Sequence, residues 1–185
     1  MKAPLGVLHG RFQLLHKGHV TYIRTALDRC EHLLIGITNI DPELEKAPDP
    51  ADPERTTPRN NPFTYYERYG MIQAAMEGMN IPKERYDIIP FPIEEPRKIH
   101  NFAPREGVYY VGIYDAWGRK KKDTLEGLGL TVEVLYDQPI EAKDLCATDL
   151  RRSIQEGHRA WEKEVTPEVV RYLKEKNLLA KIRKP

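Results

Sequence analysis

The chain has 185 residues and a formal net charge of +1, with 29 Lys and Arg against 28 Asp and Glu. That length suits one domain with its own core, and so small a charge draws the chain neither to nucleic acid nor to an anionic membrane. No apolar stretch approaches a membrane span, Met1–Leu5 shows no signal segment, and Cys30 and Cys146 stand alone without metal-ligand spacing, so the expectation is a cytoplasmic protein with reduced thiols.

Strand and helix signals alternate along the chain. Leu5–His9 reads as a short buried strand, and His19–Arg29 carries apolar residues at helical spacing (Val20, Ile23, Ala26, Leu27). Leu33–Thr38 is a continuous aliphatic run suited to a central parallel strand. Residues 39–62 then bring six prolines and few apolar residues, which predicts a long irregular loop, flexible or acting as a lid, with Arg55 and Arg59 nearest the next helix. Thr64 and Glu67 form a capping-box pattern that opens a helix to about Gly78.

Asp87–Phe91 reads as a third strand that ends at proline, Val108–Ile113 as a fourth and Thr131–Leu135 as a fifth, with a charged helix from Trp117 to Leu128 between the last two, ending at Gly129. Ala147–Gln155 is helical with Gly157 as C-cap, Thr166 and Pro167 open the final helix, and Lys181–Lys184 reads as a frayed basic tail. The run Arg119–Lys122 shares its helix with Asp123 and Glu126 and reads as a solvated face, not a nucleic-acid site. The pattern predicts an α/β fold: a single domain over 1–185 with a parallel sheet of about five strands flanked by helices, plus C-terminal helices. Ligands in such folds sit outside the carboxyl ends of the strands, where the strand order reverses.

The chemistry concentrates in Gly10-Arg11-Phe12-Gln13-Leu14-Leu15-His16-Lys17-Gly18-His19, where the first strand hands over to a helix. The first amides of a helix lack intrahelical partners and attract anions. Two imidazoles and a guanidinium beside them can donate to phosphate oxygens and steady the charge of a phosphoryl group under attack. A second segment, Cys146-Ala147-Thr148-Asp149-Leu150-Arg151, again enters a helix with a hydroxyl and an arginine one turn in. Two anion cradles on one α/β scaffold suit a triphosphate held at both ends.

These segments, with Asn61–Arg68 (N-P-F-T-Y-Y-E-R) and the weaker E-G-H-R-A-W at 156–161, resemble the H-x-G-H nucleotidyltransferase superfamily, most nearly the archaeal-type nicotinamide-mononucleotide adenylyltransferases. The resemblance spans essentially the whole chain. It implies a Rossmann-like fold and transfer of a nucleotidyl group, with AMP from ATP favoured, to a phosphate acceptor such as nicotinamide or nicotinate mononucleotide, with release of pyrophosphate. By position it implies that Arg11, His16, His19 and Arg151 serve catalysis on the triphosphate. Leu8, His9, Gly10, Phe12, Gly18, Ala147 and Thr148 would lie along the triphosphate and nucleoside. Mg²⁺ is the implied cofactor, held by the phosphates and by no side chain, and a homo-oligomer is an admissible assembly.

Two departures from that pattern stand out. Cys146 occupies a place where the relatives usually carry serine, and a thiol is the weaker donor. Around the acceptor, the stacking tryptophan and the S-G-N turn of the archaeal enzymes are replaced by Pro96–Phe102 and Gly112–Gly118. Arg97, Lys98 or His100 could meet an acceptor phosphate there, Phe102, Tyr114 or Trp117 could stack on an acceptor ring, and Asp115 lies among them. Rival readings follow: a cytidylyltransferase acting on a phosphorylated alcohol or phosphonate, a nucleotide-binding regulator without turnover, and, least of all, a fragment of a class I aminoacyl-tRNA synthetase, whose K-M-S-K-S loop is missing.

Overall fold

A computed structural model describes residues 1–41, 50, 57–142 and 145–183. Most of the proline-rich segment, including Arg55, lies outside the described residues, as does Lys184. The chain forms two compact units: the first holds Met1–Arg11, Thr21–Ile40 and Lys83–Lys143, and the second holds Phe12–Val20, Asp41–Pro82 and Asp144–Pro185.

The first unit carries five parallel strands, β1 (Ala3–Gly10), β2 (Cys30–Ile37), β3 (Tyr86–Pro90), β4 (Val108–Ile113) and β5 (Thr131–Asp137), in the order β3-β2-β1-β4-β5. The order reverses at β1, which pairs with β2 on one side and β4 on the other. This is the Rossmann-like parallel sheet the alternating pattern predicts. Val7, Leu34, Tyr109 and Val111 point into one core with Leu125 and Leu130, and α3 (Ala116–Gly127) covers that face, its N-terminus capped by the Asp115 carboxylate.

Helix α1 (Lys17–Leu27) stops two residues before the predicted end, and β2 starts three residues early. The Arg85 guanidinium explains both, donating to the carbonyls of Leu27 (3.0 Å), Cys30 (3.1 Å) and Glu31 (2.6 Å) and so stapling the turn between them.

The second unit is helical. Thr64 and Glu67 exchange side-chain and backbone bonds (2.8 and 3.3 Å) as the capping box that opens α2 (Tyr65–Gly78). With it come α4 (Ala147–Gln155), followed by Gly157 at φ +78°, and α5 (Pro167–Glu175), capped by Thr166. The tail does not fray as expected: Leu179–Arg183 forms α6, with Ile182 only 2% exposed. Lys181 bridges Glu67, and Gln155 Nε2 donates to the Ile182 carbonyl (3.0 Å). One buried aliphatic and a bridging lysine outweigh the local excess of positive charge. Among the described residues no helix is long and apolar enough to cross a membrane.

Candidate active site

In the second unit the stretch 12–20 is bent by two non-glycine residues with left-handed backbone, Phe12 (φ 52°) and Leu14 (φ 86°). Such conformations cost on the order of 1–3 kcal/mol each and persist only where the surroundings hold them. Both side chains are fully buried, and the residue between them is clamped. The Gln13 amide donates to the Phe63 carbonyl and accepts from the Phe63 N–H, both at 2.9 Å.

The bend delivers the histidines to the start of α1. The His16 carbonyl accepts from the amides of His19 (2.8 Å) and Val20 (3.1 Å), and the His16 amide donates to His19 Nδ1 (3.4 Å). That bond places the proton of neutral His19 on Nε2. The two imidazoles lie 4.0 Å apart at 37°, and Phe12 meets His19 edge-on at 5.1 Å. His16 is buried and His19 half-buried. Gly18 suits this packing, since a Cβ there would stand 3.0 Å from the His16 ring, tighter than most such contacts.

Helix α4 brings the second set. Its N-cap, Cys146, makes no side-chain cap bond. Arg151, one turn in and 4% exposed, donates to the Gln13 carbonyl (2.5 Å), to Asn60 Oδ1 (2.5 Å) and to Thr148 Oγ1 (3.1 Å). All three partners are neutral oxygens. Burial lowers its pKa to about 10, the nearby Cys146 opposes that shift, and the like charge of Arg59 adds to it. A buried cation facing another cation, with only dipoles as hydrogen-bond partners among the described residues, is costly unless an anion joins it. His16, His19, Thr148, Arg151 and the first amides of α4 are thus assembled in one unit, with the chemistry of a polyphosphate site.

The remaining candidates lie in the first unit. Leu8 is buried in β1, His9 stacks on Phe91 (4.5 Å, 11°), Gly10 ends the strand and Arg11 follows it half-buried. Arg97, His100 and Phe102 are exposed in and just after a 3₁₀ turn at Pro96–Asn101. Asp115 is engaged as the α3 cap, accepting from the Gly118 amide at 2.7 Å, and Trp117 packs against the core beneath Lys120 (5.5 Å). Tyr114 sits ring to ring with Tyr136 at 5.0 Å. Among the described residues no group of three or more His, Cys, Asp or Glu is placed to hold a metal ion.

Two residues that hold Arg151 escape a sequence reading, Gln13 and Asn60. Gln13 lies inside the motif, but nothing local distinguishes its role from that of a solvent-facing amide. Asn60 lies near the end of the proline-rich segment, where polar residues are the rule.

Comparison with known proteins agrees with this chemistry. A family model described as cytidylyltransferase-like matches residues 7–153. The chain is 41% identical over 184 residues to the phosphonoformate cytidylyltransferase of Streptomyces viridochromogenes, covering 98% of this chain and 96% of that one. It is 31% identical to the nicotinamide-nucleotide adenylyltransferase of Pyrococcus furiosus, covering 96% and 87%. Its fold is similar to the crystal structure of a bifunctional NMN adenylyltransferase/ADP ribose pyrophosphatase from Francisella tularensis, with TM-score 0.64 and 19% identity over 97% of this chain. The chain spans about half of that structure's length, 53%. This protein therefore belongs to the cytidylyltransferase-like family of the nucleotidyltransferase superfamily. It is an enzyme that transfers a phosphorus-containing group.

Proposed function

We propose that this enzyme moves the cytidylyl group of CTP onto a small phosphonate-bearing acid and releases pyrophosphate. The observation that carries this reading is the 41% identity, nearly end to end, to a phosphonoformate cytidylyltransferase, against 31% for an adenylyltransferase relative. It shifts the preference from adenylyl to cytidylyl transfer, which the resemblance of the motifs alone had left second. The departures around the acceptor support the shift: a stacking tryptophan and an S-G-N turn suit a pyridine nucleotide, and this chain has neither in those places.

The chemistry asks little of the protein beyond alignment and charge. A phosphonate oxygen is already a competent nucleophile; it attacks the α-phosphorus of CTP as the bond to the bridging oxygen of the β-phosphate breaks. His16 and His19 would donate to oxygens of the phosphoryl group under attack. Arg151, Thr148 and the first amides of α4 would take the charge that gathers on the departing pyrophosphate. Mg²⁺ would bind the phosphate oxygens and offset their charge.

Adenylyl transfer to nicotinamide mononucleotide is the second reading, favoured by relatives at about 30% identity from Pyrococcus and Thermococcus. Incubating the protein with each of the four ribonucleoside triphosphates against phosphonoformate, nicotinamide mononucleotide and nicotinate mononucleotide, while following pyrophosphate and the product mass, separates the two. Turnover confined to CTP with the phosphonate is expected. Turnover of ATP with a mononucleotide, and none of CTP, overturns the proposal.

A further inference from the structure

Strand β5 contains a break in its pairing with β4. Val111 pairs with Val134, yet the next residue of β4, Gly112, pairs with Tyr136, so Leu135 is extra. Val132 and Val134 pack against the core beneath α3, and strict alternation would send Tyr136 to that same face. The bulge turns it to the other face, where its ring meets Tyr22 of α1 at 6.1 Å. Gly112 completes the seat: a Cβ there would lie 2.2 Å from the Tyr136 hydroxyl. Two separate irregularities, a bulge and a glycine, thus serve one side chain.

The place is informative. The strand order reverses between β1 and β4, and ligands of parallel sheets collect outside the carboxyl ends of the strands at such a reversal. Tyr136 lies against the last residues of β4, Tyr114 follows that strand, and both phenols are partly exposed. Tyr22 below them is anchored by donating to the Tyr110 carbonyl (2.8 Å). Burial, then the neighbouring Tyr114 and a hydrogen bond with it, raise the pKa of the Tyr136 hydroxyl above the ordinary tyrosine range, so it stays a protonated donor.

We propose that Tyr136, seated over Gly112 by the β5 bulge and held by Tyr114, is a specificity-determining residue for the nucleobase and favours cytosine over adenine. This rests on the cytidylyl reading above. A phosphonate-bearing acid as small as phosphonoformate has no flat face to lay on a phenol, and a phosphate has none either. The base is the part of CTP that offers both a face and an edge of donors and acceptors. The tyrosine ring fills the space above Gly112, and a pyrimidine asks for less of the room that remains than a two-ring purine does.

The test is nucleotide binding by calorimetry without acceptor, so that no turnover intervenes, with CTP, ATP and inorganic pyrophosphate as probes. Tyr136→Phe removes the hydroxyl alone and Tyr136→Leu removes the ring. The ratio of CTP to ATP affinity should fall about tenfold in Tyr136→Phe and further in Tyr136→Leu, as for the loss of one hydrogen bond and then of a stacking face. Pyrophosphate affinity should stay unchanged in both, which a general loss of structure would not allow. A wild-type preference for CTP that persists unchanged in both variants overturns the assignment of Tyr136 alone. A wild-type preference for ATP overturns the cytidylyl reading itself.

Discussion

Arg151 Nη2 donates to Asn60 Oδ1 at 2.5 Å, and the amide nitrogen of Asn60 is in turn held by Thr57 Oγ1 at 3.1 Å. A guanidinium on α4 is thereby oriented by a residue near the end of the proline-rich segment, and its remaining bonds go to Gln13 and Thr148. The arrangement fixes the direction of the cation with neutral oxygens.

A polyanion should therefore stabilise the folded protein. Millimolar inorganic pyrophosphate is expected to raise the melting temperature of the wild type, because a ligand bound only by the native state adds stability as its concentration exceeds the dissociation constant. Arg151→Met should abolish that rise, and Asn60→Ala should shrink it while leaving the charge in place. Thermal scans at several pyrophosphate concentrations check this; a full rise in Arg151→Met would remove that residue from the phosphate site.

His19→Ala should lose on the order of 10²–10³ in turnover, the usual cost of one preorganised donor. Circular dichroism should be unchanged, since His19 is half-buried and the turn it helps to close is also held by backbone bonds from His16. Pyrophosphate release at the wild-type rate would refute the role.

Gln13→Leu keeps the volume of the side chain but leaves the buried N–H and carbonyl of Phe63 without the bonds that Gln13 supplies. Each abandoned group costs about 1–3 kcal/mol, and the left-handed backbone at Phe12 and Leu14 loses the clamp between them. Urea denaturation should show a lower midpoint with an unchanged slope.

The C-terminal helix should contribute measurably to stability. Ile182→Ala removes a side chain that is 2% exposed, and buried isoleucine truncations cost about 2–5 kcal/mol. If the segment behaved as a frayed tail, the midpoint would not move.

Cys146→Ser should stabilise rather than disturb. Cys146 stands at the N-cap of α4 without a side-chain cap bond, and a serine there can accept from the amides of the first turn for about 0.5–2 kcal/mol. A higher denaturation midpoint is the expected reading.

Much of the fold around the candidate site was legible along the chain because its signals are local. The Thr64–Glu67 capping box, the Thr166–Pro167 helix start and the glycine after α4 stand where their own chemistry puts them. So does the passage from a buried apolar strand to the helix carrying His16 and His19. The ends of α1 and β2 were less legible, because Arg85, more than fifty residues away, sets them. The tail hides its helix for a related reason: its charge is visible in the sequence, but the burial of Ile182 is not.

By itself, then, the sequence determined the alternation that makes a parallel sheet and the two segments whose amides, imidazoles and guanidiniums suit phosphate, since each follows from residue type and spacing over a few turns. Only the tertiary structure decided that Arg151 would be buried among the neutral oxygens of Gln13, Asn60 and Thr148, and that a bulge would turn Tyr136 across its sheet onto Gly112. Both depend on the register and packing of segments distant in the chain. A charge partner or a strand's facing side is a property of those contacts, not of the residue that carries it.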